Sequence, residues 1–335
     1  MDKFLIVRLG SLGDVIHAVP AAAGLRRRFP QARIDWLIDP RYVELLELVE
    51  CIDRPIAFDP RDFRIGRARG RSVLRQLRAA RYDAAIDMQG LLKSAVLARL
   101  AGAGRTIGFP RAHLREPFAR MFYTTAPDPG TAAHVIEKNL RLLHPLGVSD
   151  RAVHFPIRIP RTAAAATIVD RFAGGYAIVN PGAAWPNKRW PADRFGAVAA
   201  AIRREHGLPS VVLWGPGEQD LAASVAAASH GAAEAAPPTT ITDIVAIARA
   251  ARLMVSGDTG PLHIAGAVGT PIVALFGPTR PDRNGPWAPR DVTMSRVAGC
   301  SCLYERRCHM AARCIDDIMP DEVLQAVGRR LSVHG

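Results

Sequence analysis

The chain has 335 residues, a formal net charge of +13, 49% hydrophobic residues and only 6% aromatic residues. This length suits two domains of ordinary size, and the apolar content is that of a globular protein rather than a disordered one. No apolar run is long enough to span a bilayer. Aromatic residues do not interleave with the basic runs, which argues against nucleic acid as a partner. The charge therefore points to other anionic partners.

Short apolar runs alternate with amphipathic stretches along the chain. The runs lack polar–apolar alternation, which is typical of strands buried on both faces of a parallel sheet. Helices are expected to separate these strands, as in doubly wound α/β proteins. Strands are predicted at 4–7, 33–38, 84–87, 176–180, 210–214, 253–256 and 272–276. Helices are predicted at 15–29, 72–80, 192–206 and 219–230.

The strand–helix pattern restarts near residue 176, so an α/β fold with two doubly wound, Rossmann-like domains facing a central cleft is expected. The predicted domains are 1–160 and 161–318, joined through a proline- and alanine-containing segment. Residues 319–335 are predicted to form a terminal helix that packs back on the first domain. The N-terminus begins as a strand and lacks the apolar core of a signal peptide, so we expect a cytoplasmic protein.

The segment 256–263 contains the largest concentration of candidate ligand-binding groups in the sequence. It follows a buried strand and leads into a helix, so backbone N–H groups and the helix dipole point at one place, where an anion can bind. Asp258, Thr259 and His263 add a carboxylate, a hydroxyl and an imidazole there. The alternative interpretation is a helix cap formed by Asp258 or Thr259, with Gly260 beginning the helix.

Two further loops of the second half follow predicted strands. Gly182 permits close approach of a ligand to the backbone, and Lys188 offers a cation for phosphate. Glu218 follows the next strand and can accept hydrogen bonds from ribose hydroxyls, or can simply lie in the first turn of a helix. Together with the 256–263 segment, these loops indicate a site that can hold a nucleotide diphosphate and its sugar.

The first predicted strand leads into a turn that contains Gly10, Gly13 and Asp14. The pattern G-x-x-G-D differs from the dinucleotide fingerprint G-x-G-x-x-G, although a nucleotide-binding dehydrogenase stays open on this feature. Asp14 can serve as a helix cap, or as a carboxylate that takes a proton from an acceptor hydroxyl.

Together these segments resemble the lipopolysaccharide heptosyltransferases, glycosyltransferase family 9, and most closely the heptosyltransferase I branch. The resemblance extends over nearly the whole chain and rests on the order and spacing of its motifs. It implies a GT-B fold, a Gram-negative source and inverting transfer of L-glycero-D-manno-heptose from ADP-heptose to Kdo of Kdo-lipid A. The motifs lie at 9–17, 82–94, 115–117, 180–191, 214–215, 258–263 and 276–279.

The resemblance also implies roles for individual residues. Asp14 is expected to be the general base, and Lys188 is expected to stabilise the departing diphosphate without a catalytic metal or other cofactor. The first domain is expected to bind the acceptor and the second the ADP-sugar. Donor-binding roles are implied for Gly13, Gly182, Glu218, Asp258, Thr259, Gly260 and His263.

A lipid-linked acceptor of this kind is heavily anionic, and arginine suits its phosphates and carboxylates. The same charge is expected to hold the protein at the inner membrane surface. The basic run beginning at residue 61 can also be a solvated loop. The predicted acceptor-binding residues are Arg61, Arg64, Lys93, Arg115 and Arg120.

Cys300, Cys302, Cys308 and Cys314 cluster near the C-terminus, whereas Cys51 is isolated. Their spacing is not a standard zinc pattern. A structural Zn or Fe site, free thiols and a disulfide all stay open. The cluster also suggests an alternative function, a protein O-heptosyltransferase of the same fold with a cysteine-bound structural metal. A non-enzymatic anion-binding module is a further alternative.

Overall fold

A computed structural model describes residues 1–59, 61 and 68–332. The chain divides into two compact units, Met1–Arg158 and Ile159–Gly335, close to the boundary predicted at residue 160. Each unit contains one parallel sheet with its own buried core. Both units are therefore α/β, as the sequence predicts.

The first unit has a five-stranded sheet in the order β3-β2-β1-β4-β5, and all described pairings are parallel. The first strand thus lies in the middle, and the turn that follows it opens at the carboxyl edge, where ligands bind in such sheets. The strands are β1 Lys3–Val7, β2 Arg33–Ile38, β3 Arg54–Ala57, β4 Ala84–Asp87 and β5 Arg105–Ile107. The helices are α1 Leu12–Arg28, α2 Val43–Leu46, α3 Ala68–Ala80, α4 Leu92–Leu100 and α5 Val135–Arg141.

The second unit has a six-stranded parallel sheet in the order β11-β10-β9-β6-β7-β8. β6, β9 and β10 lie side by side, so the turns after them open at the same edge. The strands are β6 Ala177–Asn180, β7 Ser210–Val212, β8 Ala233–Ala235, β9 Leu253–Gly257, β10 Ile272–Phe276 and β11 Val292–Ser295. The helices are α6 Ala163–Arg171, α7 Ala192–His206, α8 Gln219–Ala228, α9 Ile241–Ala250, α10 Gly260–Ala267, α11 Pro281–Asn284 and α12 Pro320–Ser332.

Every residue of the central strands β6, β9 and β10 is buried. This explains their continuous apolar sequences, because helices cover both faces of the sheet. The four strands that were not predicted (β3, β5, β8 and β11) are short, and all four lie at sheet edges. Among the described helices, none has the length and apolar character needed to cross a bilayer.

The terminal helix α12 packs into the core of the second unit. Val323, Ala326 and Val327 of α12 are fully buried in the core of the second unit, together with Trp190 and Val273. The helix packs on α7 and along β10 and β11. The apolar face of α12 therefore belongs to the core of the second unit, and its packing on the first domain stays a prediction.

Candidate functional site

Asp258 follows β9 and is the centre of a buried polar network. Its Oδ2 accepts from Lys188 Nζ at 2.5 Å and from Thr279 Oγ1 at 2.7 Å. Its Oδ1 accepts from Asn284 Nδ2 at 2.9 Å and lies 3.2 Å from His263 Nε2. The side chain of Asp258 is 5% exposed, so the carboxylate is almost entirely removed from water.

Burial alone would raise the pKa of the Asp258 carboxyl. The hydrogen bond from His263 and the charge of Lys188 outweigh that effect and hold the pKa of Asp258 well below its usual range. Asp258 is therefore a fixed negative charge that orients a cation. Lys188 Nζ also lies 4.6 Å from the centre of the Trp185 ring, so the ammonium is held on two sides.

The turn after β9 places the N-terminus of α10 beside this network. Thr259 is the N-cap of α10, and its Oγ1 accepts from Asn180 Nδ2 at 3.0 Å rather than capping the helix. Gly260 begins α10 and Pro261 follows it. The first backbone N–H groups of a helix have no partner within that helix, so this end can receive phosphate oxygens.

Glu218 lies against the backbone of Gly182. A Cβ at position 182 would approach Glu218 Oε2 to 2.0 Å, so glycine is required for this contact. The Glu218 carboxylate accepts from Gly215 N at 3.1 Å and pairs with Arg189 at 3.1 Å. A carboxylate offers about four acceptor positions, so two stay available for hydroxyls. Glu218 is the N-cap residue of α8, but its side chain makes no capping hydrogen bond to that helix.

Asp14 is the third residue of α1 and takes part in a capping box with Ser11. Its Oδ2 accepts from Ser11 N at 3.2 Å and from Ser11 Oγ at 2.9 Å. Its Oδ1 pairs with Arg8 at 2.6 Å, and the Asp14 side chain keeps 27% exposure. The carboxylate is thus oriented by its neighbours and still accessible to a substrate. Gly13 is buried inside the first turn of α1.

The carboxyl end of β4, next to β1, is organised by Asp87. This wholly buried carboxylate accepts from Tyr123 Oη at 2.7 Å and from Ser94 Oγ at 2.8 Å. Burial raises the pKa of Asp87, and the hydrogen bonds to it only partly offset the effect. Asp87 fixes the turn before α4 and the segment ending at Tyr123, on which several predicted acceptor residues lie.

The predicted acceptor residues have different surroundings. Lys93 in α4 and Arg115 are exposed, and Arg120 is half-buried with its Nη1 donating to the Tyr123 carbonyl at 2.9 Å. Arg61 is 85% exposed and pairs with Asp59 at 2.7 Å, so a neighbour already partly neutralises its charge. Arg64 lies outside the described residues.

The C-terminal cysteines are all thiols, and they form two neighbouring groups. Cys302 Sγ lies 3.2 Å from Cys308 Sγ and 3.3 Å from His309 Nδ1, which in turn lies 3.2 Å from Glu305. The ligand atoms of Cys302, Glu305 and His309 all lie within 4.8 Å of one another.

Burial raises the pKa of the Cys314 thiol, and the neighbouring Cys300 thiol raises it further. The four cysteines lie near one another, with Cys302 and Cys308 beside His309 and Glu305 and with Cys300 beside Cys314, and the four-thiolate ligand set stays a prediction. Cys51 is buried by itself, and burial raises the pKa of its thiol to about 12.

The cysteine segment supports the loops around Asp258. Asn187 Nδ2 donates to the Glu305 carbonyl at 2.7 Å, and Tyr304 N donates to the Pro278 carbonyl at 2.8 Å. These bonds tie the segment to the loop that carries Lys188 and to the loop that carries Thr279. A change in the cysteine segment can therefore shift the loops that carry Lys188 and Thr279, although none of the hydrogen bonds described for Asp258 comes from a thiol.

Sequence reasoning missed several residues of the network. Thr279 and Asn284 bind Asp258, Arg8 binds Asp14, and Arg189 binds Glu218. Thr279 follows β10, the neighbour of β9, so the rule that functional residues gather at carboxyl ends of parallel strands could have found it. Arg8 likewise follows β1 directly, and Arg189 lies in the same loop as Lys188, whereas Asn284 in α11 is brought to Asp258 by tertiary packing, for which the sequence has no local signal.

Two α/β units with parallel sheets match the fold of solved heptosyltransferases of the GT-B class. A model of glycosyltransferase family 9, described as heptosyltransferase, matches residues 70–312. The chain therefore belongs to glycosyltransferase family 9. The predicted family, enzyme class and GT-B fold are confirmed, and the dehydrogenase alternative is wrong.

Individual relatives are similar over almost the full chain. Lipopolysaccharide heptosyltransferase 1 of Pseudomonas aeruginosa is 28% identical over 319 residues, covering 91% of this chain and 87% of the relative. The Escherichia coli heptosyltransferase WaaC solved with ADP has a TM-score of 0.80 at 24% identity, covering 98% of this chain and 99% of WaaC. WaaC solved with ADP-2-deoxy-2-fluoro heptose has a TM-score of 0.76 at 24% identity, with 97% and 99% covered.

Proposed function

We propose that the protein transfers L-glycero-D-manno-heptose from ADP-heptose to Kdo of the lipopolysaccharide inner core, with inversion at the anomeric carbon. The similarity to lipopolysaccharide heptosyltransferase 1 over 91% of the chain is the observation that carries this proposal. The Lys188–Asp258 network and the accessible Asp14 carboxylate supply the chemistry that such a transfer requires.

The second unit is proposed to bind the donor. Lys188, the Thr259 hydroxyl and the Gly260 end of α10 would receive the diphosphate, where negative charge grows as the sugar departs. Asp258 would fix the position of Lys188 and, through its neighbours, of the sugar. His263 would contact the phosphate or the heptose from the same turn. Glu218, with two acceptor positions left, would bind the ribose hydroxyls.

Asp14 is proposed to be the general base. The acceptor hydroxyl oxygen forms a bond to the anomeric carbon while the bond from that carbon to the diphosphate oxygen breaks. The bonding electron pair leaves with ADP, and the hydroxyl proton passes to Asp14. Attack from the face opposite the leaving group inverts the anomeric configuration. Because Lys188 and the helix terminus oppose the new negative charge, the proposed reaction requires no catalytic metal.

The acceptor is proposed to be Kdo-lipid A, bound by basic side chains of the first unit. Lys93, Arg115 and Arg120 lie around the segment that Asp87 fixes, and Arg61 lies on the loop after β3. Such an acceptor places the reaction at the cytoplasmic face of the inner membrane. A protein hydroxyl is the alternative acceptor, and comparing transfer to Kdo-lipid A with transfer to a protein substrate distinguishes the two.

Nucleotide selectivity tests the donor assignment directly. The purified chain is titrated calorimetrically with ADP, UDP, GDP and NAD in the presence of a chelator. Binding of ADP in preference to the other three supports the proposal. Preference for UDP, GDP or NAD would refute the donor assignment while leaving the family and fold in place.

The cluster of Cys302, Cys308, His309 and Glu305 is proposed to be a structural metal site for Zn or Fe. Two thiols, an imidazole and a carboxylate are ligands that both metals accept, and structural sites of this type are closed by protein ligands. Cys302, Cys308 and His309 would hold the ion, with Glu305 completing the set or orienting His309. The ion would stabilise the segment that supports the Lys188 and Thr279 loops.

Metal content and thermal stability test this site without an activity assay. We expect one equivalent of metal in the dialysed protein, its loss in Cys302→Ser, and a lower melting temperature in that variant. Cys51→Ala is the matched control, because Cys51 lies outside the group, and it should retain the metal. A metal-free wild-type protein with an unchanged melting temperature in Cys302→Ser would contradict the assignment.

A further inference from the structure

Two large apolar side chains of the first unit stand out in the described part of the chain. Met121 is 78% exposed and Phe118 is 71% exposed. The other exposed large hydrophobic residues in that part of the chain are between 37% and 51% exposed. A single exposed apolar residue is ordinary, but two adjacent ones of this size indicate an interaction surface.

Phe118 and Met121 lie on the same side of a 3₁₀ helix, Pro117–Phe122. Residues three positions apart eclipse each other in this helix type, so the two side chains form one projection. Leu92, which is 42% exposed, begins α4, which packs on this 3₁₀ helix, and Leu92 N donates to Glu116 Oε2 at 2.6 Å. We call Leu92, Phe118 and Met121 the apolar patch.

The base of the patch is fixed to the core of the first unit. Ala119 is fully buried between the two exposed residues. Tyr123, immediately after the helix, donates to the buried Asp87 carboxylate at 2.7 Å. The apolar side chains are therefore presented outward by a rigid support and are not the tip of an unsupported loop.

Three exposed basic residues and one exposed carboxylate, Glu116, lie near the patch. Lys93 follows Leu92 in α4, Arg115 lies just before the 3₁₀ helix, and Arg111 begins a further 3₁₀ helix that contacts it. Within the described part of the chain, none of these three has a carboxylate oxygen within 4.0 Å. Their charges are therefore available to an anionic partner, and the chain as a whole carries +13.

We propose that the apolar patch docks the protein on an anionic lipid bilayer. Phe118 and Met121 enter the boundary between headgroups and acyl chains, while the flanking cations contact headgroup phosphates. Neither an apolar protein groove nor nucleic acid matches this combination as well, because the patch is a convex projection with a cationic rim. The assignment deepens the proposed function, since a lipid-linked acceptor lies in such a bilayer, and it rests on that function for its biological purpose.

The patch also lies on the functional side of the first unit. Asp87 ends β4, and its register partner Val7 ends β1, just before the turn that leads to Asp14. Docking through the patch would therefore bring the carboxyl edge of this sheet toward the membrane. A saccharide attached to a lipid in that membrane would have a short route to the same edge.

Co-sedimentation of the full chain with lipid vesicles tests the proposal. Wild-type protein is expected to bind vesicles that contain phosphatidylglycerol and to bind pure phosphatidylcholine vesicles much more weakly. The double variant F118S/M121S should bind anionic vesicles at least about tenfold more weakly, because two large apolar side chains no longer enter the membrane. Arg111→Gln should weaken binding about fivefold on anionic vesicles only.

Met319→Ser is the matched control, because Met319 is an exposed methionine of the second unit. It should bind anionic vesicles like the wild type. Equal binding of F118S/M121S and wild type would overturn the proposal, as would wild-type binding that does not depend on anionic lipid. Absence of vesicle binding by the wild type would overturn it as well and would leave a protein partner as the alternative.

A soluble acceptor separates this proposal from the proposed function. With ADP-heptose and a Kdo saccharide without acyl chains, F118S/M121S should transfer heptose at the wild-type rate. If neither protein transfers heptose but the vesicle results hold, the proposed function fails and the docking surface stands. If both proteins transfer heptose but the vesicle results fail, the docking surface is refuted and the proposed function stands.

Discussion

Asp14 and Asp258 both follow a central strand and a glycine-containing turn, yet their surroundings differ. Asp258 has a side chain 5% exposed and contacts Lys188, Thr279, Asn284 and His263. Asp14 keeps 27% exposure and binds Arg8 and Ser11. A saturated buried carboxylate organises charge, whereas a partly exposed one can still reach a substrate. Their positions in the sequence do not separate these roles, but their surroundings do.

The largest expected effect is on turnover in Asp14→Asn. The amide keeps the capping contacts but cannot take the proton, so turnover should fall by roughly 10² to 10⁴. The ADP affinity should be unchanged, and kinetics with calorimetry measure both. Asp150→Asn is the control, because Asp150 is an exposed carboxylate of the first unit that pairs with Arg27, and its turnover should equal that of the wild type. Normal turnover in Asp14→Asn would refute the base assignment.

Asp258→Asn should reduce both stability and donor binding. Removing one partner of a buried ion pair costs about 3–5 kcal/mol, since Lys188 then lacks its counter-charge. Thermal or denaturant unfolding measures this free energy. If the variant unfolds like the wild type, Asp258 does not organise the site.

The pH dependence of unfolding sharpens the same comparison. The pKa of Asp258 is lowered in the folded state, so its stabilisation is present above the ordinary carboxyl pKa of about 4 and is lost as pH falls below it. Wild-type protein should therefore lose more unfolding free energy than Asp258→Asn on acidification from about pH 6 to about pH 3. Parallel curves for the two proteins would contradict this.

Lys188→Ala should weaken ADP binding by about 2 kcal/mol, which is roughly 30-fold, because one charge-assisted contact is lost. Asp258 keeps its other donors, so the variant should stay folded. Calorimetry with ADP gives the affinity, and steady-state kinetics gives the turnover. An unchanged ADP affinity together with an unchanged turnover would show that Lys188 does not contact the donor.

The smallest expected effect is that of Gly182→Ala. The new Cβ would lie 2.0 Å from Glu218 Oε2, so the carboxylate must move. ADP affinity should fall about tenfold if Glu218 binds the ribose. Gly174→Ala is the control, because no atom lies within 4 Å of a Cβ there. Equal ADP affinity in both variants would remove Glu218 from the donor site.

Much of the fold could be predicted because the central strands and long helices have strong local patterns. Helix α7 has the predicted bounds 192–206, and strands β2, β4 and β10 also match. The short strands β3, β5, β8 and β11 were missed, since edge strands are less apolar and local sequence does not mark them. The placement of α12 depends on which unit has an uncovered face, and that is a tertiary property.

The candidate site could be predicted only in part. Asp14, Lys188, Glu218 and Asp258 lie in turns after strands, where sequence patterns indicate ligand sites. Which of these carboxylates is saturated depends on Thr279, Asn284 and Arg8, which approach from other parts of each unit. The sequence therefore predicted where the site residues lie, but it did not predict the hydrogen-bond partners or the exposure of each carboxylate.

The most direct test of the account is a transfer assay with ADP-heptose and Kdo-lipid A in the presence of a chelator. Wild-type protein is expected to add heptose to Kdo, to release ADP in equal amount and to form a linkage of inverted anomeric configuration, as read by mass spectrometry and NMR. Retained configuration, dependence on added metal, or transfer only from another nucleotide sugar would contradict it.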